Sequence, residues 1–225
     1  MNKDAHIRRL QLAFAAGLLC GNVSWAQAPA DVALISELTG EVVYIGQGGK
    51  QNKAQAFMRV RQGDRFTIPA GGALRVVFFQ GARQESWKGP GSFRAGATQS
   101  DKLSGSRPQV VKLPTDVSQN IARVPDLIQT ARLGGVTVRD ASRPRPPFSA
   151  QDQAEVAAAK ATYKKMRSAA TPDDITPELY LFSVLQDFAR YDELRSVAED
   201  MQRRQPGNAE IRELATWARG LATKK

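Results

Sequence analysis

Trp87 and Phe93 flank the turn Gly89-Pro90-Gly91, with Arg83 and Lys88 close by. An exposed indole in such a setting stacks on a sugar ring while the cations meet a carboxylate, so these four residues are the candidate binding residues. Packing competes for both rings, since a small β roll needs large side chains to fill it. Paired carboxylates are the other source of chemistry, because two of them at the right separation hydrolyse glycosides. Asp173, Asp174 and Glu178 cluster, as do Asp192 with Glu193 and Glu199 with Asp200. Each cluster has a simpler role: the first three suit a helix N-terminus, where the dipole favours negative charge, and the others suit solvated faces among Arg195, Arg203 and Arg204. No acidic residue occupies an obviously apolar setting that would raise its pKa. The chain is therefore expected to have no catalytic residue, no metal site and no cofactor.

The single histidine, His6, and the single cysteine, Cys20, both fall in a leading segment with the features of an export signal. Lys3, Arg8 and Arg9 make a positive start, Leu10 to Cys20 is apolar, and Ser24-Trp25-Ala26 offers small residues where a signal peptidase reads. An apolar run of roughly a dozen residues is short of the ~20 that span a bilayer. Cleavage is expected after Ala26, giving a periplasmic protein. Cys20 raises lipidation as an alternative, although Leu19 stands before it where a lipobox has a small residue. Cleavage would remove both His6 and Cys20, and with them thiol nucleophiles, Ser-His-Asp triads, thiolate zinc and disulfides.

Charge divides the remainder. Residues 27–148 hold 17 Lys and Arg against 9 Asp and Glu, whereas residues 149–225 hold 12 of each. A basic isoelectric point usually means nucleic acid, but export removes that partner. Peptidoglycan carboxylates and anionic envelope surfaces are the polyanions left to attract it. Membrane contact is expected only through an uncleaved leader or peripherally.

Short β-branched runs bounded by glycine and proline call for strands at Val32–Leu38, Glu41–Ile45, Arg65–Ile68, Ala73–Phe79, Gln84–Lys88 and Ser92–Arg94. Residues 46–53 form a polar hairpin tip between them. Leu74, Val76 and Phe78 point to one face of their strand and Val77 and Phe79 to the other, which predicts a central strand covered on both sides. The expected architecture is an all-β roll or sandwich over 27–140 followed by a small helical domain over 150–225, an α+β chain.

Five sequence stretches carry a resemblance: Leu38-Thr39-Gly40-Glu41-Val42, Gly63-Asp64-Arg65-Phe66, Pro69 to Val76, Phe79-Gln80-Gly81 and Gly89-Pro90-Gly91-Ser92-Phe93. Together they resemble the FecR domain over about residues 32–95. Gln80-Gly81 stands where that family has an Asp-Gly tip. The founding members pass a signal from an outer-membrane transporter to a cytoplasmic sigma factor, so the resemblance implies a periplasmic recognition module. Its motifs are turn chemistry and imply a fold, not an activity.

Residues 115–131 show helical spacing in Val117, Ile121, Val124, Ile128 and Ala131, interrupted by Pro125, which predicts a kinked or split helix. A returning strand is expected at Gly134–Arg139, and Arg143-Pro144-Arg145-Pro146-Pro147 anchors a linker over 141–149. Helices are expected at 150–168, 177–189, 192–205 and 208–222, with Thr176 as an N-cap before Pro177. Tyr191-Asp192-Glu193-Leu194 with Pro206 is similar to part of a tetratricopeptide repeat, although Leu194 and Met201 sit where that family has small alanines. A lone repeat builds no peptide groove. The function expected is a non-catalytic binding or assembly module of the cell envelope with peptidoglycan or an envelope protein as partner. The alternatives are a sensory partner of a separate membrane protein and a carboxylate glycan hydrolase.

Overall fold

The computed structural model describes residues 30–133 and 148–222. The expected leader, the strand at 134–139 and the proline-rich stretch at 143–147 lie outside them. Ten strands come first: β1 (Asp31–Thr39), β2 (Val43–Ile45), β3 (Gln51–Lys53), β4 (Arg59–Arg61), β5 (Arg65–Ile68), β6 (Ala73–Phe78), β7 (Arg83–Lys88), β8 (Gly91–Ala95), β9 (Ser100–Gly105) and β10 (Gln109–Lys112). Six helices follow: α1 (Thr115–Ile121), α2 (Val124–Arg132), α3 (Ala150–Ala169), α4 (Thr176–Asp187), α5 (Tyr191–Arg204) and α6 (Ala209–Ala222). The chain is thus α+β, with two antiparallel five-stranded sheets ordered β10-β7-β6-β1-β4 and β3-β2-β5-β8-β9.

The period of two in β6 explains the layers. Leu74, Val76 and Phe78 enter the core between the sheets, where they meet Phe66, Ile68, Trp87 and Phe93. Val77 and Phe79 face the other way, onto the helices. Burying each such side chain stabilises the fold by roughly 1.5–3 kcal/mol. β6 lies in the middle of its sheet, the central, doubly covered strand that its apolar pattern predicts. Leu34 and Phe57 join Val77 in a core shared with α1 to α6, so the helices form a third layer on the first sheet.

Proline marks the break between α1 and α2. Ala122 and Arg123 separate them, and Pro125 falls in the first turn of α2, where its missing N–H is no loss. Ser149 and Asp152 make a reciprocal capping box at the start of α3. The start of α4 differs from expectation: Thr176 is its first residue, and the Asp174 carboxylate accepts the Thr176 N–H at 2.9 Å. Asp174 can do this because it is nearly buried and already turned inward by Gln84.

Four strands were not expected. Gln51–Lys53 pairs with β2 inside the stretch read as a polar tip, and β4, β9 and β10 are short and largely polar or exposed. Their ladders come from neighbours in space, which local pattern does not record.

Candidate binding site

Trp87 and Phe93 are not available to a ligand. Trp87 is 1% exposed and Phe93 0%, and their rings stack at 4.7 Å between centroids. The stack continues from Phe93 to Phe66 at 5.1 Å and from Phe66 to Tyr44 at 5.6 Å. Both rings project inward because β7 and β8 place them at core positions, and the Trp87 N–H is satisfied by buried Glu85 at 3.3 Å. Arg83 is also engaged, with an ion pair to Glu85 at 2.9 Å and a hydrogen bond to Gln99 at 2.8 Å. Lys88 is exposed at the end of β7. The four residues named from sequence therefore form a core and its margin; they do not form a binding platform.

The last ring of the stack, half-buried Tyr44, does reach a cleft. A concavity of about 810 Å³ opens where β4, the loop after β2, α2 and α6 converge. Tyr44, Met58, Arg59, Arg61, Arg132 and Gln47 are among its walls. Sequence reading missed it because its residues come from four distant segments, and only the fold joins them. Tyr44 was legible solely as a strand residue.

Ion pairs hold the cleft's cations in place. Arg59 contacts Asp31 at 3.1 Å and Asp126 of α2 at 2.6 Å, while Arg61 lies 3.6 Å from Asp31. Arg132 bridges from α2 to Glu213 at 2.7 Å and Glu210 at 3.5 Å in α6. The Arg61 side chain remains 62% exposed. Such partly solvated pairs contribute little, about 0–1 kcal/mol each, so a ligand carboxylate can replace one at small cost. Arginine also presents planar paired donors suited to carboxylates.

Asp64 sits in the cleft wall but serves the backbone. Its carboxylate accepts the Arg61 N–H at 2.9 Å and fastens the turn between β4 and β5, with Gly63 at φ 93. Burial raises its pKa against that hydrogen bond. Asp31, Asp126 and Glu210 each face a guanidinium. The cleft thus sets three guanidiniums and four carboxylates, Asp31, Asp64, Asp126 and Glu210, beside an aromatic ring.

Two acidic groups depart from the sequence expectation. Glu37 is pushed up to about 7 by burial, opposed by Arg75 and reinforced by Asp173 and Asp174. Glu178 is fully buried, clamped by Arg167 at 3.1 Å and Arg204 at 3.2 Å, with the Tyr163 hydroxyl at 3.3 Å. It lies in the first turn of α4, as expected, and in addition cross-links three helices. Among the described residues no group of His, Cys, Asp or Glu is arranged to hold a metal, and no helix is long and apolar enough to cross a membrane.

No family model, no curated protein and no solved structure matches the chain.

Proposed function

We propose that the chain is an exported, non-catalytic binding module of the cell envelope, FecR-like in its β portion, which holds an anionic glycan of the peptidoglycan type in the Tyr44 cleft. The observation that carries this is that one half-buried tyrosine lines the same cavity of about 810 Å³ as Arg59, Arg61 and Arg132. A pyranose face stacks on the ring. A lactyl or peptide carboxylate pairs with a guanidinium. The export-type leader supports the compartment, and the two-sheet arrangement with its glycine turns supports the FecR-like resemblance.

Co-sedimentation of the purified mature protein with peptidoglycan sacculi tests this proposal. Binding that survives moderate salt, with no muropeptides released, is the expected result. Binding abolished by salt would reduce the interaction to bulk charge, and release of muropeptides would overturn the non-catalytic assignment.

A further inference from the structure

We propose that β10 is the docking edge for an extended acidic segment of a partner protein, which adds to the first sheet as a further strand. This edge lies at the opposite end of the sheet from β4 and the arginine cleft, so it is a second, separate surface.

Among the described residues β10 ends its sheet, and all four of its residues are exposed, Val110 by 45% and Val111 by 52%. The Leu113 N–H donates to Ala82 O at 2.8 Å. With a period of two, residues 109, 111 and 113 turn their main-chain groups to β7, which leaves the N–H and C=O of Val110 and Lys112 directed outward. An open edge of this kind takes another strand unless it is blunted. The other edges are blunted or occupied. β9 carries Asp101 and Lys102 and a register shift against β8, β3 is three exposed polar residues, and β4 borders the cleft beside α2. Pro108 and Pro114 bracket β10 and limit an added strand to about five residues.

Side-chain chemistry selects the occupant. A groove of about 510 Å³ runs between β10 and α3, lined by Val111, Leu113, Met166 and Ala169. Val111 pairs with Gln84, which in turn pairs with Val77, so it points to the helix side, toward this groove. Lys112 and Lys165 also line the groove, both are exposed, and neither has an ion pair among the described residues. The one carboxylate there, Asp174, is taken by Gln84 at 2.7 Å and Arg75 at 3.7 Å. The unspent charge is positive, and Lys112 pairs with Arg83 and so takes the face opposite Val111, so the fitting strand alternates an apolar side chain toward the groove with acidic groups on the face of Lys112. A second copy of the chain brings another Lys112 to the edge and is disfavoured by the same charges.

A fluorescent pentapeptide of alternating valine and glutamate serves as the probe, titrated onto the mature protein, with amide exchange followed residue by residue. The expected result is saturable binding that slows exchange at Val110 and Lys112. A peptide N-methylated at alternate amides keeps its side chains but is expected to bind at least about tenfold more weakly, as is the native peptide to the Lys112→Glu variant. The protein itself is unaltered in the N-methyl comparison, so misfolding plays no part in it. No binding, equal binding of the N-methylated peptide, or protection that appears with protein concentration alone would each overturn the proposal.

Discussion

Glu37 owes its raised pKa first to burial at a seam, with neighbouring acids adding to it. Its carboxylate and those of Asp173 and Asp174 gather round one guanidinium, Arg75 of β6, whose side chain is 11% exposed. Ser86 of β7 and Thr171 of the loop after α3 complete the contacts of that guanidinium, and Arg204 and Gln205 hold the same loop through Pro172 O and Asp173 O. One cation does not neutralise three anions, so burial keeps a proton on Glu37 up to about pH 7. A carboxyl raised in the folded state adds stability at low pH, and that contribution is lost as pH rises from about 4.5 through about 7. Converted at 1.36 kcal/mol per pKa unit and discounted for partial exposure, the loss is roughly 2 kcal/mol. Glu37→Gln is expected to remove this part of the slope, so that its melting temperature gains on the native protein's as pH rises from 5 to 8. Parallel pH profiles for the two proteins would contradict it.

Trp87 makes the same contrast between appearance and position. Its neighbours Arg83 and Lys88 gave it the look of a binding residue, yet Trp87→Ala is expected to cost about 3–5 kcal/mol of stability through the cavity it leaves. Urea denaturation measures this. A loss below about 1 kcal/mol would place the ring outside the core.

At the scale of elements, alternating or helical apolar patterns were legible wherever one face is buried. β1, β5, β6 and β7 and all six helices follow the residues that called for them to within a few positions. Gln51–Lys53 and Ser100–Gly105 were not legible, because no apolar alternation marks them and their pairing depends on β2 and β8. Glu178 does lie in the first turn of α4, as its reading as a helix-terminal charge required, but its clamp was not legible, because Arg167 of α3 and Arg204 of α5 come to it only after the helices pack. Removing it leaves two guanidiniums facing a buried gap, so Glu178→Ala is expected to destabilise by about 3–5 kcal/mol. The check is chemical denaturation, with the double variant Glu178→Ala, Arg167→Met expected to recover part of the loss. Recovery absent, or a single-variant loss within experimental scatter, would contradict the cross-link.

Across the whole molecule, the shared core of Leu34, Phe57, Val77 and the helices makes sandwich and helical layer interdependent. In a chain without residues 1–26, and so without Trp25, fluorescence of Trp87 in a Trp217→Phe background and helical circular dichroism are expected to report one coincident unfolding transition. Two separated transitions would mean independent bodies. The sequence showed that the cationic excess belongs to residues 27–148 but not that three of those arginines line one cleft with Tyr44, since sequence distance hides a cleft built from β2, β4, α2 and α6. That convergence is the central claim, and its most direct measurement is sacculus co-sedimentation of a Tyr44→Ala, Arg61→Ser variant beside an Arg65→Ser, Lys88→Ser control, with folding verified by melting. The cleft variant is expected to lose at least about 90% of the salt-resistant binding, equivalent to more than ~1.4 kcal/mol, while the control, which removes two positive charges elsewhere, keeps it. Equal retention by both variants, or equal loss, would contradict a specific site at Tyr44.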